Sequence, residues 1–241
     1  VMGYLNQTSN GENSIIEGTL NVSSNDTSTM TMGQSNNLTL NTNSFIVGKS
    51  NKLHTNHELT VLGKLHDVSG TSITSLVTGE NIYANNVRNV ILSGKAHRIF
   101  GSQAIASFGE DNIVNTTTNA LISGKSNDVE NVSQSSILGA YNDVSGNTLY
   151  SLVTGISNKE FNGEQNVIGG KFHNVKDTFS SAVFGLQNTE TSGNNNIISG
   201  KENININSEN TLIAGYSISA NNSNGSGIIG IDHTETNGVG N

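Results

Sequence analysis

The chain has 241 residues, a net charge of −8, 33% hydrophobic and 12% charged residues, and neither proline nor cysteine. With 11 Lys and Arg against 19 Asp and Glu, it lacks the basic footprint of a nucleic-acid binder. Without cysteine it has no disulfides and no thiolate metal site, and no apolar run approaches the ~18 residues of a membrane-spanning helix.

The chain begins inside a pattern, at Val1-Met2-Gly3, and reads as a piece of a longer one. Glycines then recur at 3, 18, 33, 48, 63, 79, 94, 109, 124, 139, 155, 170, 185, 200, 215 and 230. Thirteen intervals are of 15 residues and two are of 16. The residue two before the glycine is apolar nearly throughout, and the residue three before it often is. In chain order the pairs include Ile15-Ile16, Phe45-Ile46, Leu76-Val77, Ile91-Leu92 and Leu121-Ile122. They continue with Leu152-Val153, Val167-Ile168, Ile197-Ile198 and Leu212-Ile213. Five residues after the glycine comes a second apolar place, as at Leu53, Val68, Val129 and Val175.

Each repeat therefore predicts a strand, a tight turn and a second strand. Gly and Asn tolerate positive φ, so they are expected to mark the corners, as at Gly48 with Asn51, Gly124 with Asn127 and Gly200 with Asn203. Fifteen residues are too few for two strands and a helix but suit one rung of a solenoid. The expected fold is all-β: a parallel β-solenoid of about sixteen rungs of 15–16 residues, with 1–241 as one domain. Five rungs form a higher repeat of 76 residues. DVSGTSITSLVTG at 67–79 matches DVSGNTLYSLVTG at 143–155, and each carries one of the 16-residue intervals. The extra residue either projects as a contact loop or absorbs a slip in register.

Successive strand residues point to opposite faces. Two adjacent apolar columns therefore place one column inside the solenoid and one outside. The outer column needs a cover that the chain does not supply. A second copy of the same wall is the expected cover, giving a homo-oligomer of two or three chains.

Four histidines (His66, His97, His173, His233) take the Asn place and are expected to be turn residues rather than metal ligands; no cofactor is expected. Lysines 49, 64, 95, 125, 171 and 201 follow the glycine and are expected to be a solvated corner. The Thr-rich stretches form no column in register, against ice binding. The acidic residues form no cluster and no nucleophile–base ordering is present, so no enzyme is expected. Rungs that break the pattern are the candidate recognition sites. They present Tyr83, then Arg98 and Phe100, and in the two long rungs Thr74 and Tyr150. Aromatics and Arg are common interface anchors. Phe161 is expected in the core, shifted by one position past Glu160.

The runs SFIVGKSN (44–51), SSILGAYN (135–142), SAVFGLQN (181–188) and NIISGKEN (196–203) resemble the head repeats of YadA-like trimeric autotransporter adhesins. The resemblance covers nearly the whole chain. It implies a left-handed β-roll, a side-by-side homotrimer, and display at the outer membrane of a bacterium. It also implies attachment to host cells through a surface receptor protein. The Asn-rich composition is similar to fusobacterial members that bind CEACAM receptors. Self-association in a biofilm, or binding of a matrix protein, is the alternative role. The 15-residue spacing is longer than the family repeat, and Ala is scarce at its apolar columns.

Overall fold

A computed structural model describes residues 1–85, 87–101 and 103–240, with the side chains of residues 71–74 left aside. No helix occurs among the described residues. The chain forms two compact units, Val1–Thr118 and Asn119–Asn241. Each unit is a parallel β-solenoid whose strands pair with the equivalent strands one rung away.

One rung of the second unit shows how the sequence folds. Strand Ile197–Lys201 ends at a left-handed corner on Glu202 (φ 59°). Strand Ile204–Ile206 follows, with further left-handed corners at Asn207 (φ 50°) and Asn210 (φ 54°). The next rung opens at Leu212, paired in register with Ile197, and Gly215 lies over Gly200. Glycine is required at that place for two reasons. Gly200 has φ 116°, and a Cβ on it would lie 1.9 Å from the carbonyl oxygen of Gly215. Backbone would have to move to admit any side chain there.

Five columns face the interior. In this rung they are Asn196, Ile198, Asn203, Asn205 and Ser208, all buried. The column two before the glycine is the apolar one: Ile16, Ile46, Val77, Leu92, Ile122, Val153, Ile168, Ile198 and Ile213 are at most 1% exposed. Their neighbours three before the glycine point outward, Ile15 and Ile197 being 50% exposed and Leu212 40%. Strand parity thus puts the two apolar columns on opposite faces, as expected.

The Asn three after the glycine has a different role from the expected one. The positive-φ corner is the residue before it, Ser50, Ser126 or Glu202. Asn51, Asn127 and Asn203 are buried with their side chains inside. There they build a ladder along the solenoid. Asn188 Nδ2 donates to the Phe184 carbonyl at 2.7 Å and to the Gly200 carbonyl at 3.1 Å. Its Oδ1 accepts the Asn203 N–H at 2.9 Å. In the first unit the same ladder joins Asn21, Asn36 and Asn51. Asn is chosen because one amide offers both a donor and an acceptor to backbone groups that would otherwise be buried unpaired.

The histidines in this column are likewise not exposed turn residues, apart from His233. His66, His97 and His173 are buried in the ladder. His173 Nδ1 accepts the Asn188 N–H at 3.2 Å, and its Nε2 meets the Gly169 carbonyl at 3.1 Å. An Nδ1 that accepts carries no proton, so this ring is the neutral Nε2–H tautomer. Burial lowers the pKa of all three histidines.

Phe161 is a correction too. It is 44% exposed, and the adjacent Glu160 is buried. The register Asp143↔Lys159, Val144↔Glu160, Ser145↔Phe161 on one side, and Glu160↔Val175 on the other, holds the strand in phase. A one-residue shift would turn its whole length over. Phe161 lies outside, with Lys176 Nζ 5.8 Å from its ring centroid.

The extra residue of the second 16-residue rung falls at Gly146-Asn147. Pairing runs Ser145↔Phe161 before it and Leu149↔Glu164 after it, a change of offset from 16 to 15. Gly146 takes φ 80°, and Asn147 N–H donates to Asn162 Oδ1 at 3.1 Å. The residue absorbs a slip in register rather than building a projecting loop. In the first unit the same shift opens between the pairs His54↔Ser69 and Asn56↔Ser72, next to Gly70 at φ 110°.

Candidate functional site

The surfaces that the fold leaves open are two outer strand faces and the corners. The face on either side of the buried apolar column carries the residues three and one before the glycine. Phe45, Leu62, Leu76, Ile91 and Phe108 are exposed along the first unit, and Leu121, Leu152, Val167, Phe184, Ile197 and Leu212 along the second. Among the described residues, each unit therefore presents an exposed apolar wall.

The second outer face is mostly polar; Phe161, Ile204 and Ile206 interrupt it in the second unit, and a group of larger side chains does so in the first. Strand Tyr83–Asn85 pairs with Arg98–Ile99, and Arg98 pairs in turn with Ile113. Tyr83, Arg98 and Ile113 thus stand in one column on three successive rungs. Phe100 lies two residues beyond Arg98 on the same outward side. Its ring meets Tyr83 at 5.6 Å between centroids, tilted by 59°, a contact within the range of a favourable aromatic pair. The column forms one wall of a cleft of about 350 Å³. The other wall is the left-handed corner residues Asn81, Ala96 and Asp111. The cleft brings an exposed guanidinium, a phenol, an aliphatic side chain and a carboxylate within reach of one ligand group.

Of the residues expected from sequence, Tyr83, Arg98 and Phe100 come together here. Tyr150 belongs to the second unit, 54% exposed on a left-handed corner at φ 56°. The side chain of Thr74 lies outside the described residues. The partners that sequence reasoning missed are Asn81, Ala96, Asp111 and Ile113. Only Ile113 carried a signal, as an apolar residue in a column that is usually polar.

The corner lysines behave as a solvated ridge. In the first unit Lys64 pairs with Glu80 at 3.1 Å, and on the polar strand face Lys52 pairs with Asp67 at 3.5 Å. Exposed pairs of this kind contribute about 0–1 kcal/mol each. Glu202 hydrogen-bonds Lys201 and raises its pKa. On the polar face of the second unit Asp128 has its pKa raised, by partial burial first and then by Asp143 and Glu130. No group of three or more His, Cys, Asp or Glu that could hold a metal ion occurs among the described residues.

No family model matches the chain, and no curated protein matches it.

Proposed function

We propose that this chain is the head region of a surface-displayed adhesin, assembled side by side from three copies and binding a protein on a host cell. The observation that carries the assembly is the uncovered apolar wall: a strand with apolar columns on both faces, only one of which its own chain buries. A wall of that extent on a soluble monomer would aggregate. A second copy of the same wall is the cover that matches it in length and spacing. The number three, the left hand of the roll and the outer-membrane location rest on the resemblance of the repeats to YadA-like heads.

The cleft around Tyr83 and Arg98 is the receptor contact in this reading. An Arg beside paired aromatics is the composition of an interface anchor, and its rims supply both signs of charge. No catalysis is assigned. CEACAM-type receptors are the first class to try.

Light scattering on the purified chain tests the assembly. A trimer mass is expected, and a monomer mass overturns it. Ile197→Asp with Leu212→Asp should shift the trimer toward monomers. Binding to host cells tests the site. Tyr83→Ala and Arg98→Ala should each lower it by about tenfold or more while the oligomer persists. Unchanged binding removes the cleft from the receptor surface.

A further inference from the structure

Two carboxyl groups are fully buried in the interior of the second unit, in a column that elsewhere in that unit carries Val, Asn, Ala and one part-exposed Glu. Glu160 and Glu190 lie five residues after their glycines and are 1% and 0% exposed. The same column holds Val129, Val144, Val175, Asn205 and Ala220, and near its end a part-exposed Glu235 that accepts from Ser226 Oγ at 2.7 Å.

Both carboxyls are held by the same set of groups. Ser151 Oγ donates to Glu160 Oε1 at 2.8 Å and Asn166 Nδ2 donates at 2.9 Å. Ser181 Oγ and Asn196 Nδ2 do the same for Glu190 Oε1, at 2.9 and 2.8 Å. Glycine makes the room: a Cβ on Gly163 would lie 2.1 Å from Glu160 Oε1, and one on Gly193 would lie 2.2 Å from Glu190 Oε1. In each carboxyl the second oxygen is buried without a hydrogen-bond partner. Asn205 stands in register with Glu190 on the next rung.

Among the described residues no cation faces either group. The strands packed on Glu160 present Val144 and Val175 to it, and those packed on Glu190 present Val175 and Asn205. The charged residues beside these places, Asp143, Lys159, Lys176 and Asp177, lie toward solvent. The other titratable group in this stretch of the interior is His173; burial lowers its pKa, so it acts in the opposite sense, weakening the section as pH falls, and cannot produce opening that rises with pH. An ionised carboxylate there would be a buried charge with one oxygen unanswered, which is costly.

We infer that the rungs from Ser151 to Asn196 are a proton-held section of the solenoid, closed while Glu160 and Glu190 carry protons and opening locally once they ionise. Burial pushes the Glu160 carboxyl up to about 7, against the opposing bonds from Asn166 and Ser151, and pushes Glu190 upward as well. A raised carboxyl binds its proton more tightly in the folded state. Its stabilisation is therefore fully present below the ordinary Glu range and is lost as pH rises through the folded value near 7. The section tightens in mildly acid surroundings.

Hydrogen exchange on the whole chain tests this at pH about 5 and about 8, with rates corrected for intrinsic exchange. Amides of residues 151–196 should open at least about tenfold more often at the higher pH, while residues 212–231 should show no such change. Glu160→Gln with Glu190→Gln keeps both acceptor bonds and should abolish the response. Glu160→Val places in the column the residue that Val144 and Val175 already show it accepts. It should remove the response from residues 151–166 and leave it around Glu190, which keeps the test sharp if the double variant folds poorly. Equal protection at both pH values, or a response that survives in the variants, overturns the inference.

Discussion

Replacing Asn188 by Ala tests whether the Asn ladder stabilises the solenoid or merely fills it. The side chain is fully buried and makes three bonds to backbone groups: two donated, to the carbonyls of Phe184 and Gly200, and one accepted, from Asn203 N–H. Each such bond contributes about 1 kcal/mol net, and a buried N–H left without an acceptor adds about 1–3 kcal/mol. Together these give a local loss of about 4–6 kcal/mol. Asn188→His should cost less, because His173 occupies the same column one rung earlier and still bonds backbone from both ring nitrogens. A single melting curve is the wrong assay, since repeat arrays unfold in sections. Native-state hydrogen exchange reads the loss directly, as faster opening of the amides between Phe184 and Asn203 with the distant rungs unchanged. Opening free energies within about 0.5 kcal/mol of the wild type would refute the reasoning, because the bonds would then be worth no more than their solvated counterparts.

Gly200→Ala should destabilise by more than about 3 kcal/mol, since both the positive φ and the 1.9 Å approach to the Gly215 carbonyl forbid a Cβ. Gly101→Ala is the control, with nothing within 4 Å of the new Cβ, and should stay within about 0.5 kcal/mol by native-state hydrogen exchange. His66 and His97 have pKa values lowered by burial, so their contribution in the first unit is present at neutral pH. It is lost as pH falls below 6.5 through the lower folded values. Exchange protection around both should drop in acid, and His66→Asn with His97→Asn should flatten that drop. Phe161→Ala should change stability by less than about 1 kcal/mol, because the ring is exposed and touches Lys176 only as a surface cation–π pair.

How far the site was legible follows from the same geometry. Tyr83 and Phe100 are legible as aromatics in columns that are usually polar, and Arg98 as the long cation beside them. Their grouping could be expected because residues 15 apart fall side by side in a solenoid. Asp111 and Ala96 could not be recognised, because corner residues vary freely and only the fold shows which corners close a cleft. Phe161 misled because composition puts aromatics inside. The ladder register puts Glu160 there instead, and Ser151 and Asn166 make that burial tolerable.

The repeat by itself determined the architecture. A glycine every 15 residues, preceded by two adjacent apolar residues and followed by a second apolar place, suits a stack of short strands that hydrogen-bond rung to rung and bury one column. It also determined that one apolar column must face outward, since strand parity admits no alternative. Only the tertiary structure decided what the polar columns do. Asn, His, Ser and Glu look alike at a turn and in a core until their partners are known. Those partners lie a full rung away, brought within hydrogen-bond reach by the stacking of one rung on the next.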